Sequence, residues 1–214
     1  MISVLFHGAV ALKDAQWWSA LTDVTSSSGY AYGLHDDRQH SMDSVRVGVF
    51  ANVGVPEWAL SSGYSFLALY HTYDADIDTF NVHAAVSADL LRWKWVTMVA
   101  SNADMPYFHV DAESGRVLLM HEQWMDPNST SPSRLRASVF SNVSSLLSGQ
   151  APAVTSLKPT SLSGLEGTPN VYNWDVPLDT VYFGCHFNDP QSRRDQVGAG
   201  GRCGVSAADG VDMV

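Results

Sequence analysis

Asp104 and Glu166 stand at nearly the same place in two copies of one phrase. Residues 105–127 (MPYFHVDAESGRVLLMHEQWMDP) and 168–190 (TPNVYNWDVPLDTVYFGCHFNDP) align without a gap at an offset of 63 residues. Pro106 falls on Pro169, Val117–Met120 on Thr180–Phe183, and Asp126-Pro127 on Asp189-Pro190. Asp104 lies two residues before its proline and Glu166 three before its own. A repeat of this length points to an array or a propeller. In a propeller, acids at one place in successive units meet near the central axis. Burial and mutual repulsion push the pKa values of such carboxyls apart, so that one can donate a proton while the other keeps its charge. The plainer alternatives are an exposed loop position for Glu166 and a turn aspartate for Asp104.

Strands must position these residues. Tyr30–Leu34, Ser44–Val53, Ser65–Tyr73 and Thr79–Val86 read as one set. Trp95–Ala100, Tyr107–Val110, Val117–Trp124 and Leu135–Ser141 form a second, and Asn170–Trp174 and Thr180–Phe187 open a third. Ser62-Gly63, Glu113-Ser114-Gly115 and Pro177-Leu178-Asp179 supply turns. Ala15–Thr22 and Ser87–Trp93 are the helical candidates, the latter capped by Ser87. Ser148–Leu165, rich in Ser, Thr, Pro and Gly, reads as a loop. Four antiparallel strands to a unit make a propeller blade, whereas a β-sandwich or jelly roll has no reason to repeat itself. The expected fold is all-β, one propeller-like domain over residues 1–190 with units of roughly 30–93, 94–147 and 166–190 onward, about three blades. Five such units need about 300 residues, so a fragment, an open propeller or a subunit is expected. Residues 191–214 contain five Gly and no aromatic residue, and are expected to be poorly ordered.

Composition narrows the function classes. The chain has 214 residues, 45% apolar and 16% charged, with 7 Trp, 8 Tyr and 8 Phe, an aromatic content that suits strands and sugar-binding surfaces alike. A formal charge of −10 leaves no basic stripe to neutralise phosphates, which excludes nucleic acid as a partner. No apolar run reaches 18 residues, so no transmembrane helix is expected. The start, MISVLFHGAVALKDA, lacks a basic region and is interrupted by His7 and Gly8; it reads as a strand, not a signal peptide. An extracellular location is nonetheless expected, with any leader missing from this chain or unconventional. Asn128-Ser129-Thr130 and Asn142-Val143-Ser144 are glycosylation triplets. Cys185 and Cys203 have no metal-site spacing, and either a disulfide or a buried strand position suits Cys185. The motifs of serine hydrolases, zinc proteases and phosphate-binding loops do not occur, and neither cofactor nor metal is expected.

Three phrases carry a family resemblance. Ser87-Ala88-Asp89-Leu90-Leu91-Arg92-Trp93 has the form S-x-D-L-x-x-W, Glu166-Gly167-Thr168-Pro169-Asn170-Val171-Tyr172 is similar to E-G-P-x-hydrophobic-Y, and Asp104-Met105-Pro106-Tyr107 stands one unit earlier. Together, over residues 65–190, they resemble the five-bladed β-propeller glycoside hydrolases, the group of arabinofuranosidases, xylosidases, invertases and fructan-acting enzymes, here apparently incomplete. Such hydrolysis needs a protonated carboxyl at the leaving oxygen and an ionised carboxylate across the sugar. The resemblance implies Glu166 as general acid and Asp104 as its orienter and pKa modulator. It places the base in the first unit, where His35-Asp36-Asp37-Arg38 and Val55-Pro56-Glu57 are the regions available. Asp37, beside Asp36, is the expected base; a solvated turn is the alternative. His71 and Asp74 in Tyr70–Asp74, with Glu122, Trp124, Trp174 and His186 in later units, are expected to contact substrate. The two tryptophans would be aromatic platforms beside hydrogen-bonding neighbours, the alternative being ordinary blade packing. The expected function is cleavage of an oligo- or polysaccharide; the alternative is a non-catalytic carbohydrate-binding or protein-interaction propeller, and the base discriminates between them.

Overall fold

The apolar runs Phe66–Tyr70 and Val117–Met120 are too continuous for strands with one wet face, and strands that read this way are buried on both. They are the second strands of two antiparallel sheets in the computed structural model, which describes residues 33–54, 56–124, 133–157, 166–177, 180–189 and 194–204. The first sheet runs β1 (Asp43–Val49), β2 (Phe66–Asp74), β3 (Thr79–Ser87) and β4 (Lys94–Ala100), each paired with the next. The second repeats the order with β5 (Ala103–Val110), β6 (Val117–Trp124), β7 (Ser133–Phe140) and β8 (Val154–Leu157). The third pairs β9 (Glu166–Asp175) with β10 (Thr180–Asp189) and β10 with β11 (Arg194–Gly204). Short helices α1 (Phe50–Val53) and α2 (Glu57–Ser61) link β1 to β2, and α3 (Val143–Leu147) follows β7 with Asn142 Oδ1 capping it through the Ser145 N–H at 2.8 Å.

Strand parity explains the packing. Leu67 and Leu69 of β2, with Ala84 and Val86, meet Val117 and Leu119 of β6, Phe140 and helix α3. The alternate residues of β6, Leu118 and Met120, point the other way with Leu135, Ala137 and Val139 onto Val171, Trp174, Val181 and Phe183 of the third sheet. On the outer face of the first sheet, Ala68, Tyr70 and Ala85 are covered by Met42 and Trp93. Odd-numbered residues of β6 therefore face the first sheet and even-numbered ones the third, as period two requires. Each Leu-sized side chain so buried stabilises by about 1.5–3 kcal/mol.

Several expectations need correction. Ser87–Trp93 is a turn, not a helix: Ser87 Oγ accepts the Asp89 and Leu90 N–H groups, and the Asp89 carboxylate accepts those of Leu91 and Arg92 and pairs with the Arg92 guanidinium. These local bonds compete with a helical ladder, and Leu90 takes a φ of 65°. The turn sends β4 back onto β3, so the first unit runs through Ala100 instead of stopping near residue 93. Ser148–Leu165 contains β8. The Gly-rich tail contributes β11, paired along β10 from Thr180↔Gly204 to Asp189↔Arg194, because a ladder needs backbone amides and not side chains. Of the strand expected at Tyr30–Leu34 only 33–34 are described, and they lie outside any strand; Ala15–Thr22 and residues 205–214 lie outside the described residues. Register sets Cys185 opposite Gly198 and Cys203 opposite Val181, so the two are not cross-strand neighbours.

Candidate active site

The first strand of each sheet begins with the same irregularity. In β1, Asp43 pairs with His71 and the next match is Arg46↔Leu69, so Ser44 and Val45 together oppose one residue. In β5, Asp104 pairs with Glu122 and then Tyr107 with Met120. In β9, Gly167 pairs with His186 and then Asn170 with Gly184. The first extra residue is left-handed each time: Ser44 at φ 49°, Met105 at 46° and Thr168 at 52°. Non-glycine residues seldom adopt this conformation, and bulges that use it redirect a strand, often beside a functional site. Acidic residues stand just before all three: Asp43, Asp104, and Glu166 with Gly167 between it and the bulge.

Asp104 is buried and lies against Glu122, its cross-strand partner, which is buried as well. Two like charges directly opposite each other are unfavourable. Burial and the Asp104 charge push Glu122 up to about 8. Burial raises Asp104 too, while the Trp124 indole N–H, His71 and the Glu122 hydroxyl oppose that rise. Glu122 therefore keeps the proton and donates it to the Asp104 carboxylate. Glu122 Oε1 accepts the Thr168 N–H at 2.7 Å, which ties the second sheet to the start of β9. The Trp124 N–H approaches Asp104 without an aligned bond, and Asp104 Oδ1 is buried with no partner among the described residues. His71 Nδ1 accepts the Met105 N–H at 3.0 Å. Burial pushes His71 down, while Asp104 and Asp43 pull it up.

The residues singled out from sequence fall in different places. Glu166 opens β9, its backbone opposite Phe187, and His186 lies opposite Gly167. Asp37 is engaged elsewhere, where its Oδ1 accepts the Trp95 N–H at 2.7 Å on β4, at the other edge of the sheet from β1. Beside it, burial alone would raise Asp36, but bonds from Tyr70, His40 and the His40 and Arg38 amides outweigh burial and lower it. Asp74 ends β2 at the β2–β3 turn, accepting the Asp76 N–H at 3.1 Å and lying 3.5 Å from the Asn81 amide nitrogen. Trp174 is no platform at this site. It is buried in the core between the second and third sheets, eight residues along β9 from Glu166, or about 25 Å at strand rise. Glu122 is turned inward onto Asp104 and Thr168 instead of outward to a ligand. Asp43 escaped sequence reading; in the fold, Ser44 Oγ touches Met105 Sδ at 3.1 Å and brings the first two bulges together. Among the described residues, no group of three or more His, Cys, Asp or Glu side chains is arranged to hold a metal ion.

No family model matches the chain, and neither does any curated protein. Solved structures do resemble it. An exo-β-1,3-galactanase from Phanerochaete chrysosporium, determined with β-1,3-galactotriose, superposes at a TM-score of 0.51 and 10% identity over 85% of this chain and 41% of its own. An exo-β-1,3-galactanase from Clostridium thermocellum (TM-score 0.47, 13% identity) matches over 79% of this chain and 39% of its own. A Bombyx mori GH32 β-fructofuranosidase (0.47, 7%) matches over 70% and 34%. The chain thus spans about two fifths or less of the length of these structures. Its fold is all-β and antiparallel, shared over part of its length with β-propeller glycosidases.

Proposed function

We propose that this chain carries the acid–base centre of a glycoside hydrolase acting on an oligo- or polysaccharide. Glu166 is the proton donor, Asp104 its orienter and pKa modulator, and Asp43, in place of Asp37, the base that activates water. The observation that carries this reading is the recurrence of one left-handed bulge at the head of three successive sheets, each led by an acidic residue. The first strands of neighbouring blades border a propeller's central channel, and a general acid and base acting on one glycosidic bond need to face a common space. Asp43 is exposed, so water reaches it, and the Ser41 hydroxyl holds its Oδ2 at 2.8 Å. Asp104 has the buried setting that suits a residue tuning a neighbouring acid.

The test is hydrolysis of β-1,3-galactotriose and of aryl arabinofuranosides, xylosides, fructosides and galactosides by the full chain. Glu166→Gln and Asp43→Asn are each expected to reduce turnover by about 100-fold or more, while Asp37→Asn keeps it. Equal loss in Asp37→Asn and none in Asp43→Asn would return the role of base to Asp37. Sugar binding by folded wild type without turnover would leave a carbohydrate-binding propeller.

A further inference from the structure

His71 and Glu122 occupy equivalent places. Each lies on the second strand of its sheet, opposite the residue that precedes that sheet's bulge: Asp43 for His71, Asp104 for Glu122. Each reaches into the next sheet and accepts the backbone N–H of the left-handed bulge residue there, Met105 for His71 and Thr168 for Glu122. Both are buried, at 6% and 9% exposure. The receiving strand is complementary in each case. Asp104 precedes the bulge where the acceptor is the shorter imidazole, and Gly167 precedes it where the acceptor is the longer glutamate. A Cβ at Gly167 would overlap the Glu122 carboxyl.

We propose that His71 and Glu122 are positioning residues, a pair of inter-sheet clasps that pin the bulge amides next to Asp104 and Glu166, and that both work in their uncharged forms. The clasps follow from the joints themselves; only their service to catalysis rests on the function proposed above. An imidazole that accepts at Nδ1 carries its proton on Nε2, and a second proton would confront the Met105 N–H with another donor. Glu122 accepts from Thr168 with Oε1 and donates its proton to Asp104, and ionising it would set two buried carboxylates together. The groups facing His71 are Asp43 on β1, Asp104 on β5 and the Phe80 ring on β3 at 5.1 Å. Glu122 faces Asp104 on β5 and Thr168 on β9; Leu135 lies opposite it on β7, and Glu166 and His186 flank Gly167 in the register. The pKa directions agree: His71 is lowered and Glu122 raised, both chiefly by burial.

The test is residue-resolved hydrogen exchange of the Met105 and Thr168 amides in the full chain, corrected for intrinsic rates. His71→Ala is expected to speed exchange at Met105 alone, and Glu122→Ala at Thr168 alone, each by about tenfold or more. His71→Asn and Glu122→Gln keep an acceptor without a titratable proton and retain protection. Should Glu122→Ala fail to fold, Gly167→Ala serves instead, displacing the Glu122 carboxyl and exposing Thr168. Wild-type protection in the alanine variants, or equal losses at both amides, would overturn the clasps. The uncharged form of Glu122 is read separately, as a protonated-carboxyl infrared band at neutral pH that Glu122→Gln removes; a band unchanged in that variant sinks that half. None of these readouts needs turnover, so an inactive protein with protected amides would count against the catalytic reading alone.

Discussion

At the joint between the first and second sheets an imidazole accepts the bulge amide, and an aspartate precedes that bulge on the receiving strand. At the joint between the second and third a carboxyl accepts, and a glycine takes the aspartate's place. Length is exchanged across the gap: a longer acceptor meets a missing side chain. Charge is exchanged as well. The Asp104 charge pulls the buried His71 up against burial, but with Glu122 Asp104 must share a proton. One backbone device is thus held by two side-chain pairs whose protonation limits lie on opposite sides of neutrality. The pairs, not the single residues, are what the geometry constrains.

The harshest way to break this comparison is to mix the pairs. Gly167→Asp with Glu122 in place forces a second side chain into the carboxyl's space and adds a buried charge, at a cost of about 3 kcal/mol or more. Glu122→His combined with Gly167→Asp rebuilds the first joint's pair at the second and is expected to recover most of that loss in urea unfolding. Costs that simply add would show the two positions to be uncoupled.

The next effect is the opposite pH dependence of the joints. Glu122 is raised to about 8. Between the ordinary glutamate value of about 4.3 and that folded value, the native state holds a proton that the unfolded chain has released. Stability therefore falls as pH rises through this window, by at most about 1.4 kcal/mol per pH unit, and levels off above it. His71 is lowered, so the unfolded chain binds the extra proton first. Its contribution is intact above the ordinary histidine value of about 6.5 and declines as pH falls below that. His83 and His121, pushed down to about 4 mainly by burial, act on the same acid side. Stability curves of wild type minus Glu122→Gln should carry the first slope, and wild type minus His71→Asn the second. Matching slopes of one sign would remove the contrast.

Much of the fold is legible in the residues alone, for definable reasons. Strands β5, β6, β9 and β10 show in sequence because Pro106 and Pro169 anchor one repeat and the runs between turns are short and apolar. The first sheet lacks that anchor: Val45 stands where the prolines do, and α1 and α2 lengthen the path to β2. Asp43 is hidden for that reason, and the sequence points instead to Asp37, which bonds the opposite edge of the sheet. His71 and Glu122 stand out as polar residues at strand ends, but a linear sequence does not distinguish a side chain facing a sugar from one facing the next sheet's backbone. Parity does, once packing is known: Glu122 shares the face of Leu118 and Met120, which looks onto the third sheet. The Gly-rich tail misleads because side-chain pattern is silent where pairing is purely backbone.

The smallest effect separates the joints at one more position. Two residues beyond each clasp, the first sheet has Tyr73 and the second Trp124. The Tyr73 hydroxyl is exposed and donates to Asp78 in its own hairpin turn at 2.5 Å. The Trp124 N–H lies beside Asp104 and, without an aligned bond, still opposes the rise that burial imposes on that carboxyl. Trp124→Phe removes this N–H donor together with part of the ring of a half-buried side chain, at a stability cost of about 1–2 kcal/mol. Its signature is an upward shift of the Asp104 titration, followed by carboxyl ¹³C chemical shifts, while Tyr73→Phe leaves Asp104 unchanged. If Asp104 titrates alike in both variants, the indole is mere packing, and the asymmetry between the joints ends at the clasps and their receiving residues.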